Sequence, residues 1–160
     1  MNSVLSVILT GIGATVVMDV WGALRKPLLG LAAADYAMVG RWVGHMAHGM
    51  FRHERIATAS PIEGERALGW IVHYATGIAF AAGLIGIVGL DWLQRPTLLP
   101  ALAFGIGTVV VPFLVMQPAM GTGIAASRAP NPSSARLQSF ITHAVFGAGL
   151  WVASWATSHL

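Results

Sequence analysis

Residues 4–23, VLSVILTGIGATVVMDVWGA, are the stretch that decides the fold. These twenty residues are nearly all apolar, and a helix needs roughly 20 such residues to cross the hydrocarbon core of a bilayer. Asp19 is the one charged residue among them. A carboxylate inside a membrane span costs roughly 2.5–3.5 kcal/mol on insertion scales, so it usually faces other helices or a cavity. The stretch therefore predicts a membrane-spanning helix with a polar group that needs a partner inside the protein.

The composition of the whole chain agrees with a membrane protein. Of its 160 residues, 56% are hydrophobic and only 9% are charged, which lies outside the usual range of soluble domains. Nine Lys and Arg residues against six Asp and Glu form no clustered basic stripe, so no nucleic-acid partner is predicted. The chain has no cysteine, which excludes disulfides and thiolate metal sites. The first three residues carry no Lys or Arg, so the first span is predicted to be retained rather than cleaved as a signal peptide.

Three further apolar runs, residues 68–90, 98–117 and 137–157, are also predicted to cross the membrane as helices. The run at 98–117 contains Pro112, where we expect a kink or a local loss of backbone hydrogen bonds. The predicted fold is an all-α membrane protein, a single domain of four transmembrane helices. Four spans enclose little interior, and a homo-oligomer is compatible with this arrangement although no specific residue requires one.

The long connection, residues 24–67, is predicted to hold an amphipathic helix over residues 36–52, capped by Asp35. Trp42 lies between its polar and apolar faces, where an indole ring suits the headgroup level. We predict that this helix lies on the cytoplasmic membrane surface or packs across the end of the bundle. Its basic face is interpreted as solvated and close to anionic lipid, with histidine ligands as the alternative. A sector of about 60° holds the side chains of that face, Arg41, His45, His48 and Arg52.

The basic residues predict the orientation of the four spans. The first and third connections share one side of the predicted bundle, and the other side, with both termini, holds only Arg95. The positive-inside rule places the first group in the cytoplasm, so both termini are predicted to lie outside. That cytoplasmic group consists of eight residues: Arg25, Lys26, Arg41, Arg52, Arg55, Arg66, Arg128 and Arg136.

Three predicted spans place an ionisable residue at one depth. Asp19, His73 and His143 each lie six or seven residues from a basic residue at the cytoplasmic end, or about 9–11 Å along a helix axis. Each shares a helical face with small residues, which allow close helix packing. Gln117 ends the third span on the same side. We therefore expect Asp19, His73 and His143 to lie close together in the cytoplasmic half of the bundle.

Several functions remain open for this polar group. Two imidazoles and a carboxylate suit Zn²⁺ or another divalent ion, and Met116 or Met120 would shift the preference towards copper(I). The same residues could relay protons or bind the polar head of a small amphipathic ligand. The alternative is a non-catalytic scaffold or accessory subunit in which they only fix helix packing. No catalytic motif is present, so an enzyme is disfavoured, and the sequence requires no cofactor.

Five segments together resemble a bacterial family of unknown function, the domain-of-unknown-function family numbered 2938. The resemblance covers nearly the whole chain and implies a small protein of the bacterial inner membrane, without an assigned activity or site. The segments are MDVWGALRKPL (18–28), GRWVGHMAHG (40–49), GERALGWIVHYATGIAFA (64–81), VMQPAMGTGIAASRAPNP (115–132) and THAVFGAGLW (142–151).

Overall fold

The computed structural model of the chain describes residues 2–31 and 33–159. Over these residues the chain forms five α-helices and no strand, so the all-α prediction is confirmed. Short 3₁₀ turns lie in the connections. The helices are α1 (Ser3–Leu29), α2 (Tyr36–Met46), α3 (Glu65–Val88), α4 (Leu98–Ala119) and α5 (Pro132–Thr157).

Among the described residues, three helices, α1, α3 and α4, are long and apolar enough to cross a membrane. The prediction of four such spans is therefore wrong, and the difference lies at residues 137–157. Helix α5 is 26 residues long, but polar side chains in its first half, such as Gln138 and Thr142, dilute its apolar character. The expectation that both termini lie on one side of the membrane rested on four crossings and loses that support.

Helix α1 is longer than the predicted span of residues 4–23. It continues through Pro27 to Leu29, because a proline in the last turn removes only one backbone hydrogen bond. The helix ends where Gly30 adopts the left-handed conformation, with φ of 69°, and its N–H donates to the carbonyls of Arg25 and Lys26. The connection predicted over 24–67 therefore begins only after Leu29.

Pro112 changes the backbone of α4 as expected. The segment Pro112–Met116 is a π-helical turn, which closes with a hydrogen bond from the N–H of Gln117 to the carbonyl of Pro112. Proline has no N–H, so one backbone hydrogen bond of the helix is missing at Pro112. The wider π-helical turn lets regular backbone hydrogen bonding resume after it.

The described chain divides into two compact units. The first contains α1, the residues Tyr74–Thr108 of α3 and α4, and α5 from Phe140 onward. The second contains Ala34–His73 and Val109–Ser139. The first unit holds the main hydrophobic core, whose buried members are Ala14, Ala81, Leu84, Ile85, Trp92, Leu93, Ala101, Phe146 and Leu150.

Small residues bring the helices of the first unit into backbone contact. A Cβ added at Gly77 of α3 would overlap the Thr15 hydroxyl of α1. A Cβ added at Gly105 of α4 would overlap the backbone of Gly147 in α5. These are the faces on which the sequence places its small residues, and they work here as close-packing surfaces.

In the second unit, α2 packs directly on the first turns of α3. A Cβ at Gly40 would overlap the carbonyl oxygen of Glu65, and a Cβ at Gly69 would overlap that of Tyr36. Asp35 caps α2 as predicted, with its Oδ1 accepting from the N–H of Ala37 at 3.0 Å.

Helix α2 ends at Met46, not at residue 52 as predicted. Gly49 has φ of 78° and its N–H donates to the carbonyl of Met46, while the N–H of Met50 donates to that of His45. This pair of bonds is a Schellman motif, which closes a helix C-terminus with a left-handed glycine. Residues 48–52 therefore do not continue the helical face of α2.

Candidate functional site

The Asp19 carboxylate is hydrogen-bonded to the phenol of Tyr74. Its Oδ2 accepts a hydrogen bond of 3.0 Å from the Tyr74 hydroxyl, and both side chains are half-buried in the first unit. Helices α1 and α3 meet at Thr15 and Gly77, so Asp19, one turn beyond Thr15, meets Tyr74, one turn before Gly77. The sequence reasoning missed Tyr74, although it lies three residues before Gly77, on the same face of α3.

His143 lies on α5 and contacts α4. Its Nδ1 is 2.8 Å from the Thr108 hydroxyl, and that hydroxyl donates to the carbonyl of Gly105 at 2.6 Å. A hydroxyl has one proton to donate, so the Nδ1–H of His143 must be the donor to Thr108. The neutral imidazole therefore carries its lone pair on Nε2.

His73 belongs to the second unit and is buried. Its ring stacks on that of Tyr36, with centroids 4.0 Å apart and 23° between the planes, and Trp70 approaches edge-on at 5.8 Å. Asp19 and His143 belong to the first unit. In the part of the chain that is described, no three His, Cys, Asp or Glu side chains are grouped so that they could hold a metal ion. The metal interpretation of Asp19, His73 and His143 therefore gains no support.

The other predicted ligands lie near the end of α4, in the second unit. Met116, Gln117 and Met120 are all half-buried. The side-chain Oε1 of Gln117 is buried and accepts no hydrogen bond from the described residues, whereas its backbone carbonyl accepts from Thr122.

The basic face predicted for the membrane surface is organised differently. Arg41 and His45 are 7% and 6% exposed, so they point into the protein rather than towards lipid headgroups. Trp42 is half-buried and donates through Nε1 to the carbonyl of Phe51 at 2.9 Å. His48 and Arg52 are exposed, but they lie beyond the end of α2. Helix α2 ends before His48 and Arg52, and the loop that follows the helix covers Arg41 and His45.

Arg41 organises that loop. Its Nε and Nη2 donate to the two carboxylate oxygens of Glu65 at 2.8 and 2.7 Å, a bidentate ion pair. Its Nη1 donates to the backbone carbonyl of Ala59 at 3.1 Å, with longer contacts to those of Ile56 and Ala57. The hydrogen bonds to Glu65 raise the pKa of Arg41 above its ordinary value. One guanidinium thus ties α2 to both the loop and the start of α3.

His45 and His53 form a second polar contact beside this ion pair. The Nε2 of His45 is 3.0 Å from the carbonyl of Ser60, so it must carry the proton and donate. In the neutral ring Nδ1 then accepts, and the Nε2 of His53, 2.7 Å away, is the donor. The Nδ1 of His53 is left as a buried lone pair without a partner in the described chain. Burial, and secondly repulsion from His45 when that imidazole is protonated, lower the pKa of His53 below its ordinary value.

This depressed pKa predicts acid sensitivity. Below the ordinary imidazole pKa of about 6.5, the unfolded chain takes up a proton at His53 that the folded protein resists. The free energy of unfolding should therefore fall as the pH drops from 7.5 to 5.5. His53→Gln should flatten this dependence, and His48→Gln, at an exposed position, should leave it unchanged. Thermal unfolding in detergent at three pH values measures the slopes, and equal slopes in the two variants would rule the idea out.

The elements described so far define a class, an all-α protein with three helices apolar enough to span a membrane and polar pairs between its helices. The chain belongs to the family of proteins of unknown function DUF2938, whose model matches residues 8–157. The resemblance seen in the sequence is thereby confirmed. No curated protein and no solved structure matches the chain.

Proposed function

We propose that this is an integral membrane protein that takes up and releases protons at Asp19, inside the bilayer. The observation that supports this proposal is the hydrogen bond from Tyr74 to the Asp19 carboxylate. Both residues lie on helices apolar enough to cross a membrane, where an ionisable group is costly and is usually functional. A phenol both donates and accepts, so it can hold the carboxyl group in either protonation state.

The surfaces of these helices support membrane insertion. In the most apolar window of α1, α3 and α4, only 28%, 28% and 22% of the residues are buried. The remaining residues of these windows are half-buried or exposed, and large exposed ones such as Val20, Ile71 and Leu114 are apolar. An exposed apolar area of this extent suits lipid rather than water. The positive-inside rule, applied to Arg25 and Lys26 near the end of α1 and to the basic residues of the long connection, favours the cytoplasmic side of a bacterial inner membrane for that connection.

A scaffold or accessory subunit is the second candidate. The Nδ1 of His143 is satisfied by the Thr108 hydroxyl of the neighbouring helix. This hydrogen bond lies beside the close contact of Gly105 with Gly147. Polar contacts of this kind average only about 0.6 kcal/mol in membranes, which suits a role in helix register. In this case Asp19 and Tyr74 would also serve only to align α1 and α3.

Proton flux into proteoliposomes distinguishes the two candidates. The purified protein is reconstituted around a pH-sensitive dye, and a potassium diffusion potential drives protons inward. We expect flux above that of empty vesicles, at least a tenfold reduction in Asp19→Asn, and an intermediate value in Tyr74→Phe. Asp91→Asn is the matched control, because it makes the same chemical change at an exposed residue outside the three apolar helices.

The thermal unfolding temperature of Asp19→Asn is measured together with its proton flux. A scaffold predicts that Asp19→Asn lowers the thermal unfolding temperature slightly and that wild type conducts no protons. Wild-type flux that persists in Asp19→Asn would instead exclude Asp19 as the proton-carrying group. Either outcome would overturn the proposal.

A further inference from the structure

A small cleft lies where α2 begins beside the second turn of α3. Its volume is about 230 Å³, and all of its lining belongs to the second unit. Two of its walls are aromatic, with ring centroids of Tyr36 and Trp70 only 4.7 Å apart. The lining residues are Ala34, Asp35, Tyr36, Ala37, Arg66 and Trp70.

The cleft presents two opposite charges that are not paired with each other. Arg66 is exposed and makes no hydrogen bond or ion pair with any residue that the structure describes. Asp35 uses Oδ1 to cap α2, and its Oδ2 makes no hydrogen bond with the described residues, although the Arg41 guanidinium attracts this carboxylate through space. A guanidinium matches the oxygens of a phosphate through its fork of N–H donors, and a carboxylate accepts from an ammonium group. The cleft therefore matches a ligand that carries both charges a short distance apart.

The position of the cleft, next to the start of the apolar run of α3, favours a lipid headgroup as the ligand. The apolar run of α3 starts at Leu68, two residues beyond Arg66, and Trp70 is 39% exposed beside it. Tryptophan at the start of an apolar helix is typical of the boundary between headgroups and hydrocarbon. A cleft smaller than the ~300–1,000 Å³ of drug-sized sites suits a headgroup whose acyl chains remain in the bilayer.

We propose that this cleft binds the headgroup of a phospholipid with a phosphodiester and a primary ammonium, a phosphoethanolamine. Arg66 receives the phosphate, Asp35 receives the ammonium through N–H donors, and the aromatic walls contact the short linker. An anionic headgroup without the ammonium would face the Asp35 carboxylate and is disfavoured. The inference rests on the membrane insertion proposed above, but not on proton uptake at Asp19.

The test uses the delipidated full chain in detergent, with thermal unfolding followed as lipid is added. Phosphatidylethanolamine should raise the unfolding temperature at an at least tenfold lower concentration than two other lipids. Phosphatidylcholine lacks N–H donors on its ammonium, and phosphatidylglycerol lacks the ammonium. Soluble phosphoethanolamine should act only at higher concentration, because it gains nothing from the acyl chains.

Variants locate the effect in the cleft. Arg66→Ala and Asp35→Asn should each remove the preference for phosphatidylethanolamine, and Asn at 35 still caps α2. Arg55→Ala removes an exposed cation outside the cleft and should keep the preference. Equal responses to the three lipids, or a preference that survives Arg66→Ala, would refute the site. Extraction of the protein from membranes by alkaline carbonate would instead refute membrane insertion, and with it the proposed function.

Discussion

Gly69→Ala is expected to destabilise the protein by about 3 kcal/mol, because overpacking against a rigid neighbour is costly. A Cβ at this position would overlap the carbonyl oxygen of Tyr36 on α2, and a backbone atom cannot rotate away as a side chain would. The contact of Gly40 with Glu65 lies on the same interface, so α2 would have to move off α3 as a whole. Such a movement would also pull Arg41 from Glu65.

Gly86→Ala is the matched control for this prediction. Gly86 lies on the same helix, but a Cβ there meets no atom within 4 Å. Alanine should be neutral or stabilising at this position by up to about 1 kcal/mol, since it restricts the unfolded chain. Thermal and denaturant unfolding in the same detergent would compare the two variants. Equal stabilities would mean that α2 does not pack on α3 through Gly69.

The small-residue faces could be predicted from the sequence because their spacing is local. Gly11 and Thr15 are one helical turn apart on one face of α1, and Gly69 and Gly77 are two turns apart on one face of α3. All four residues lie where two helices are in contact. The spacing does not tell which helix each face meets. Gly69 packs on α2 and Gly77 on α1, although they share one helix. A repeat within one helix carries no information about its neighbours.

The orientation of Arg41 and His45 could not be predicted in the same way. Helical periodicity extended over residues 36–52 grouped them with His48 and Arg52, which suggested one solvated basic face. Gly49 is the sequence signal for the observed end of α2, since a glycine near the end of a helical pattern often terminates it. The partners of Arg41 are mostly loop carbonyls, and these have no signature in sequence.

The sequence singles out Asp19 but does not identify the side chain beside it. The cost of a carboxylate in an apolar helix pointed to a buried partner, and the structure provides a partner in Tyr74. The prediction favoured histidines, because they are the other ionisable residues at that depth. The phenol of Tyr74, one residue beyond His73, is uncharged at neutral pH and therefore gives no such signal. The close mutual placement expected for Asp19, His73 and His143 stays a prediction.

Arg41→Met should lower the unfolding temperature by roughly 5–10 °C, as expected for the loss of one partner from an ion pair with a buried guanidinium and a half-buried carboxylate. Methionine keeps much of the side-chain volume, but it leaves the Glu65 carboxylate with only the N–H of Ile62 and the carbonyl of Ala59 without its donor. The loop after α2 should then open more often. Arg55 lies in that loop, so trypsin should cleave after it faster than in wild type.

A double substitution separates the ion pair from general packing. Arg41→Met combined with Glu65→Met leaves no buried unpaired charge, so it should recover part of the stability lost in the single variant. Arg52→Met removes an exposed cation and should change the unfolding temperature by less than about 2 °C. If the double variant is as unstable as the sum of both single ones, the pair with Glu65 contributes no coupling. Arg41 would then stabilise the fold through the loop carbonyls alone, and rapid cleavage after Arg55 would persist in the double variant.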